Sequence, residues 1–229
     1  MKNPQRGFTL VEIAIVLVII GLLLGGILKG QEMITQAKIK NVIADFSGIS
    51  AAYHGYQDRY RAIPGDDPNA NTRWNVAPAA VQGDGNGIVA GTYHNGGAQC
   101  TTGSEACNWW DHLRRAGFVS GTGVNQPFNA VSGIIGVQTG DGAVAPGPTL
   151  LNVAPPAGNG FVGLIVCSAN LPDKIAIAVD TQMDDGASNS GTVRALLQNA
   201  PNQAIGAGQV ASGAYAETGT NTYVLCRQL

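Results

Sequence analysis

Hydrophobic residues are concentrated at one end of the chain. Residues 8–28 read FTLVEIAIVLVIIGLLLGGIL, an apolar run of 21 positions interrupted by one charge, Glu12. At 1.5 Å of rise per residue this run makes a helix of about 31 Å, enough to cross the hydrocarbon core of a bilayer. Lys2 and Arg6 precede it, and Lys29, Lys38 and Lys40 follow it, a weak lean towards a cytoplasmic N-terminus. A secretory signal would have a shorter core and an A-x-A-like cleavage site. The segment is therefore expected to stay in the mature protein.

Beyond Lys29 the pattern becomes one-sided. Ile39, Val42, Ile43, Phe46, Ile49, Tyr53, Tyr56 and Tyr60 recur at helical spacings, while Lys38, Lys40, Asn41, Asp45, Asp58 and Arg59 fall mostly off that stripe. No proline lies between Phe8 and Ala62, and Ile63-Pro64-Gly65 follows. A pre-proline residue is pushed out of the α region, so one helix of about 53 residues, on the order of 80 Å, should end there. Gly21, Gly25, Gly26 and Gly30 interrupt it, and they serve either local loosening or close helix packing.

The remaining residues, 62–229, suffice for one cored domain. Residues 161–166, 174–179 and 222–225 are apolar runs bounded by turn formers and are expected as strands, with 132–138 a weaker one. Residues 108–118, NWWDHLRRAGF, are expected as a short helix with Trp109, Leu113 and Ala116 on one face and Gly117 capping it. Between Ala116 and Pro172 the sole charge is Asp141, so that stretch is either loop lying on the domain or surface buried between subunits. The fold class expected is α+β, a long N-terminal helix packed on a C-terminal antiparallel sheet.

Composition narrows the function classes. Thirty-two glycines and only 12% charged residues, where about 25% is usual, suit turn-rich extracellular material. A net charge of −2 excludes bulk electrostatic nucleic-acid binding, and 45% hydrophobic residues exclude general disorder. No G-x-S-x-G and no P-loop is present, and His54, His94 and His112 form no catalytic pattern. Trp109 and Trp110 could stack on sugars or bases, but their helical spacing beside Leu113 favours core. Catalysis is not expected.

Glu12 is the residue that demands a partner. An ionisable group inside a spanning segment costs a few kcal/mol and marks function by default. Gly7-Phe8-Thr9-Leu10-Val11-Glu12, after a short basic leader and before a long apolar helix, resembles the N-terminus of type IV pilins and type II secretion pseudopilins. The resemblance covers roughly residues 1–60. It implies a leader over 1–7, cleavage after Gly7 by a prepilin peptidase, methylation of the new amine of Phe8, a helix over 8–61 that is transmembrane in 8–28, and a periplasmic or extracellular domain over 62–229. Glu12 would neutralise the N-terminus of a neighbouring subunit during filament assembly, which supplies the cation a buried carboxylate needs. The implied partners are the peptidase, other pilin or pseudopilin subunits and an inner-membrane assembly platform, with the chain in the inner membrane before it enters a pseudopilus or pilus. Unlike many major pilins, the chain has no proline just beyond the spanning segment. The competing class is a singly anchored periplasmic binding or enzymatic domain that does not polymerise.

Cys100, Cys107, Cys167 and Cys226 would lie in an oxidising space, so two disulfides are expected, in one of three connectivities. Cys100–Cys107 with Cys167–Cys226 is favoured, the second resembling the disulfide-bounded C-terminal region of pilins. Zinc is disfavoured, because no C-x-x-C or H-x-x-x-H spacing exists. Two acidic groups are candidate calcium ligands: Asp66 and Asp67 with Asp84 and Asn86, and Asp180, Asp184 and Asp185. Asx-turns are the bland alternative for both.

Overall fold

The computed structural model describes residues 9–95, 100, 103–140, 151, 160–206 and 211–229. Its order is α1 (Leu10–Tyr60), α2 (Ala70–Arg73), α3 (Glu105–Arg115), β1 (Ile135–Thr139), β2 (Leu164–Pro172), α4 (Asp173–Met183), β3 (Val193–Leu197) and β4 (Thr222–Gln228). The chain divides into two compact units, one ending at Lys38 and one running from Ile39 to Leu229. The first contains the apolar part of α1, whose side chains are exposed from Leu10 to Leu28. By length and composition it is the one helix among the described residues able to cross a membrane.

In the second unit, β1, β2, β4 and β3 form one antiparallel sheet in that spatial order. One sheet face packs on the second half of α1. Ile39, Val42, Phe46, Ile49, Tyr53 and Tyr56 join Ile135 and Val137 of β1, Leu164 and Val166 of β2, and Tyr223 and Leu225 of β4 in a common core. The other face carries Ile165, Cys167 and Ala169 of β2 with Val224 and Cys226 of β4, covered by Tyr93, Phe161 and Ile205. A strand buried on both faces is written as a continuous apolar run rather than an alternating one; the run expected at 161–166 is of this kind, and the strand itself starts at Leu164 and continues to Pro172.

Two expectations change on contact with the structure, and one strand is new. Residues 174–179 belong to α4, not to a strand. Ile175, Ile177 and Val179 alternate as a strand would, but the buried set is Ile175, Ala176 and Val179, a helical stripe. Pro172 and Asp173 open this helix, and the Asp173 carboxylate lies at its N-terminal dipole. Helix α3 starts at Glu105 rather than 108 and is capped by Ser104. It ends in a Schellman turn, with Gly117 N–H donating to the Arg114 carbonyl and Phe118 N–H to that of Leu113; Gly117 supplies the positive φ of 81°. Strand β3 went unforeseen, since Arg194 interrupts its apolar pattern. That guanidinium is accommodated by the Leu151 carbonyl at 2.9 Å and the Phe161 ring at 4.8 Å.

Candidate functional site

The first candidate site is the start of α1. Thr9 and Glu12 form a capping box: Thr9 N–H and its hydroxyl donate to Glu12 Oε2 at 2.8 Å each, and Glu12 N–H donates to Thr9 Oγ1 at 3.3 Å. The T-x-x-E spacing before an apolar run was the signal for this second role of Glu12. The remaining face of that segment is hydrocarbon, with Leu10, Leu17, Leu22 and Leu28 each more than 60% exposed. Gly7 and Phe8, the expected processing positions, lie outside the described residues.

The second candidate region joins the far end of α1 to the loop after it. Tyr56 and Asp67 are fully buried. The Asp67 carboxylate accepts from the Tyr56 hydroxyl at 2.6 Å, from Arg73 Nη1 at 2.5 Å and from Asn69 N–H at 2.8 Å. Burial works against its charge, but these donors prevail and hold it below the usual carboxylate range. Burial and the facing carboxylate together push the Tyr56 hydroxyl far up. Arg73 lies over the rings of Tyr60 and Trp74, at 4.2 and 5.1 Å. His112, stacked on Tyr56, accepts from Gly65 N–H at Nδ1 (2.9 Å) and faces the Val81 carbonyl with Nε2 at 2.8 Å. Nε2 therefore carries the proton, and burial lowers the ring's pKa. The histidine is a neutral strut between two loops.

The first acidic group is rearranged relative to expectation. Asp66, Asp84 and Glu105 converge, each with a carboxylate oxygen within 4.8 Å of the others. Asp67 is turned away to Tyr56 and Arg73. Asn86 spends its side chain on Asp84 Oδ2 and on Ile88 N–H. Glu105 was not foreseen, because it is 21 residues from Asp84 and no local pattern links them; its carboxylate accepts Asp84 N–H and Ala90 N–H. Asp66 accepts the N–H groups of Gly85, Asn86 and Gly87, and burial raises its pKa. Gly83 packs where a Cβ would stand 2.3 Å from the Asp66 Cα.

In the second group Asp180, Asp184 and Asp185 do converge. Asp180 is fully buried, its Oδ2 accepting from the Tyr215 hydroxyl at 2.5 Å while its Oδ1 has no partner among the described residues. Burial, then the neighbouring Asp185 and Asp184, raise its pKa against the pull of Tyr215. Asp184 accepts from Thr192 and Val193 N–H, and Asp185 from Ala187 N–H and the Ser190 hydroxyl.

Cys100 is bonded to Cys107, and Cys167 to Cys226. The second bridge joins directly opposed residues of β2 and β4, on the sheet face away from α1. Trp109 and Trp110 are fully buried, edge to face at 4.8 Å, and present no ring to a ligand.

Against known proteins, the family model described as the prokaryotic N-terminal methylation motif matches residues 2–28. The N-terminal segment is a prepilin signal. That prepilin signal is the mark of type IV pilins and pseudopilins, and it supports a pilin-like subunit processed at its N-terminus, with membrane anchoring before assembly. No curated protein and no solved structure matches the chain.

Proposed function

We propose that the protein is a structural subunit of a type IV pilus or pseudopilus. A prepilin peptidase cuts after Gly7 and methylates Phe8, and the subunit polymerises through α1. The prepilin signal carries this reading, because it runs directly into a helix whose residues 10–28 are exposed. Such a surface needs an apolar environment, lipid before assembly and neighbouring helices after it. The N-terminus starts in the cytoplasm, and the domain after α1 stands on the far side of the inner membrane. We read it as a minor or specialised subunit, and its abundance in purified filaments tests that point.

Intact mass spectrometry of the chain from membranes or sheared filaments is the direct test. A chain beginning at N-methylated Phe8 is expected, and one still beginning at Met1 would leave a permanent anchor instead. Glu12 has two roles to separate. Glu12→Gln keeps a capping acceptor but removes the charge, so it is expected to abolish assembly as Glu12→Ala does. Normal filaments from Glu12→Gln would reduce Glu12 to a cap. The two acidic groups are, on this reading, structural: a calcium-dependent rise in melting temperature would support a bound cation, and no shift would remove it.

A further inference from the structure

Asp45 of α1 carries a charge without a counterpart among the described residues. Asp45 is half-buried, it has no hydrogen-bond or ion-pair partner among the described residues, and desolvation alone raises its pKa. It lines a groove of about 300 Å³ together with Ala44, Gly48, Phe118 and Phe128. Phe128 is 57% exposed and Phe118 37%. The outward face of α1 here consists of Ala44, Ser47, Gly48 and Ala51, all exposed, where a solvated helix face ordinarily carries charged side chains. A Cβ added at Gly48 would meet nothing within 4 Å. Small side chains on an exposed face let a second helix axis come close. Lys40, on the same helix, is exposed and likewise has no partner among the described residues.

We propose that this groove receives the α1 helix of a second copy of the chain, with Lys40 of that copy meeting Asp45 of the first. This rests on the polymerising function proposed above. A second copy fits better than an unrelated partner because both charges lie on one helix, five residues apart. Parallel copies staggered by about 7.5 Å of helix rise bring every Lys40 level with the next Asp45, and because residues five apart lie about 140° apart around the helix, the two charges face neighbours on different sides. The contact is head-to-tail, so it repeats without closing and produces a filament rather than a dimer. The stagger is close to the four residues that separate Phe8 from Glu12 in the sequence.

The test is the full-length Lys40→Cys/Asp45→Cys variant made in the native host, with sheared filaments run on a non-reducing gel. Residues five apart on one helix have Cα atoms about 8–9 Å apart, too far for a disulfide within the chain, so any new bond joins two copies. A ladder of covalent multimers, absent from either single cysteine, is expected. Filaments that remain monomeric on the gel would overturn the contact and leave polymerisation standing. A wild-type chain that forms no polymer would overturn the reading beneath it. If the double cysteine does not assemble, charge reversal decides. Lys40→Asp and Asp45→Lys should each lower filament yield about tenfold, as like charges meet at a partly desolvated contact. Combining them should restore it, and failure to restore would overturn the pairing.

Discussion

Replacing Asp67 by Ala should unfold the end of α1 from the loop it organises. Three donors converge on this carboxylate: the buried Tyr56 hydroxyl, the Arg73 guanidinium and Asn69 N–H. Arg73 is about three-quarters buried, with 26% of its side chain exposed, so solvent cannot fully replace the lost partner. Removing one member of a buried ion pair costs about 3–5 kcal/mol, mostly through the groups left unpaired. For a chain of this size that is a drop of about 6–20 °C in melting temperature. Urea unfolding of the full chain in detergent, followed by tryptophan fluorescence, measures it, and Trp74 reports locally because Arg73 lies over its ring. Tyr56→Phe removes a single bond to a charged acceptor and should cost about 1.5–3 kcal/mol, and the double variant should fall short of the sum. The pH dependence has a definite sign. Asp67 has a folded pKa below its unfolded one, so its contribution is complete above about pH 4 and is lost as the pH falls further. A loss under about 1 kcal/mol, the range of an exposed pair, would refute this account of the network.

Three further outcomes follow from other parts of the domain. Gly83→Ala drives a Cβ to 2.3 Å from the Asp66 Cα and 2.5 Å from the Gly65 carbonyl; these are backbone atoms that cannot swing aside, so a loss of about 1–3 kcal/mol in urea unfolding is expected. Replacing Cys167 and Cys226 by Ser releases a separation of 59 residues and should lower stability by roughly 4 kcal/mol, seen as a melting shift of about 10 °C. Asp180→Asn is expected to leave the melting temperature at pH 7 unchanged or higher. Asn still accepts from Tyr215 and no longer places a charge beside Asp184 and Asp185. The raised pKa of Asp180 means that wild-type stability falls as the pH rises from about 4 through the folded value, and this decline should flatten in the variant.

The long helix was legible because its signals are local and repeat. An unbroken apolar run, a stripe at helical spacing and the absence of proline each depend on neighbours three or four positions away, and α1 follows them from Leu10 to Tyr60. The strands expected at 161–166 and 222–225 were legible for the same reason, and β2 and β4 overlap them at Leu164–Val166 and Thr222–Leu225. The segment after Pro172 was not, because Ile175, Ala176, Ile177 and Val179 satisfy both periods and only burial against β2 and β4 selects the helix. Arg194 concealed β3, since an arginine inside a strand is tolerated only when a distant carbonyl and ring are waiting for it.

The sequence by itself determined the prepilin signal over residues 2–28, the long helix whose apolar start lies within it and the side of that helix which enters a core. Each is a one-dimensional pattern whose physical cause, helical period or bilayer thickness, acts within a few turns. Tertiary structure alone decided which carboxylates meet. Asp66 and Asp67 are adjacent in the chain, yet one turns to Asp84 and Glu105 and the other to Tyr56 and Arg73. Adjacent side chains in an irregular loop point apart, and their partners are set by chain closure over tens of residues, which no local pattern encodes.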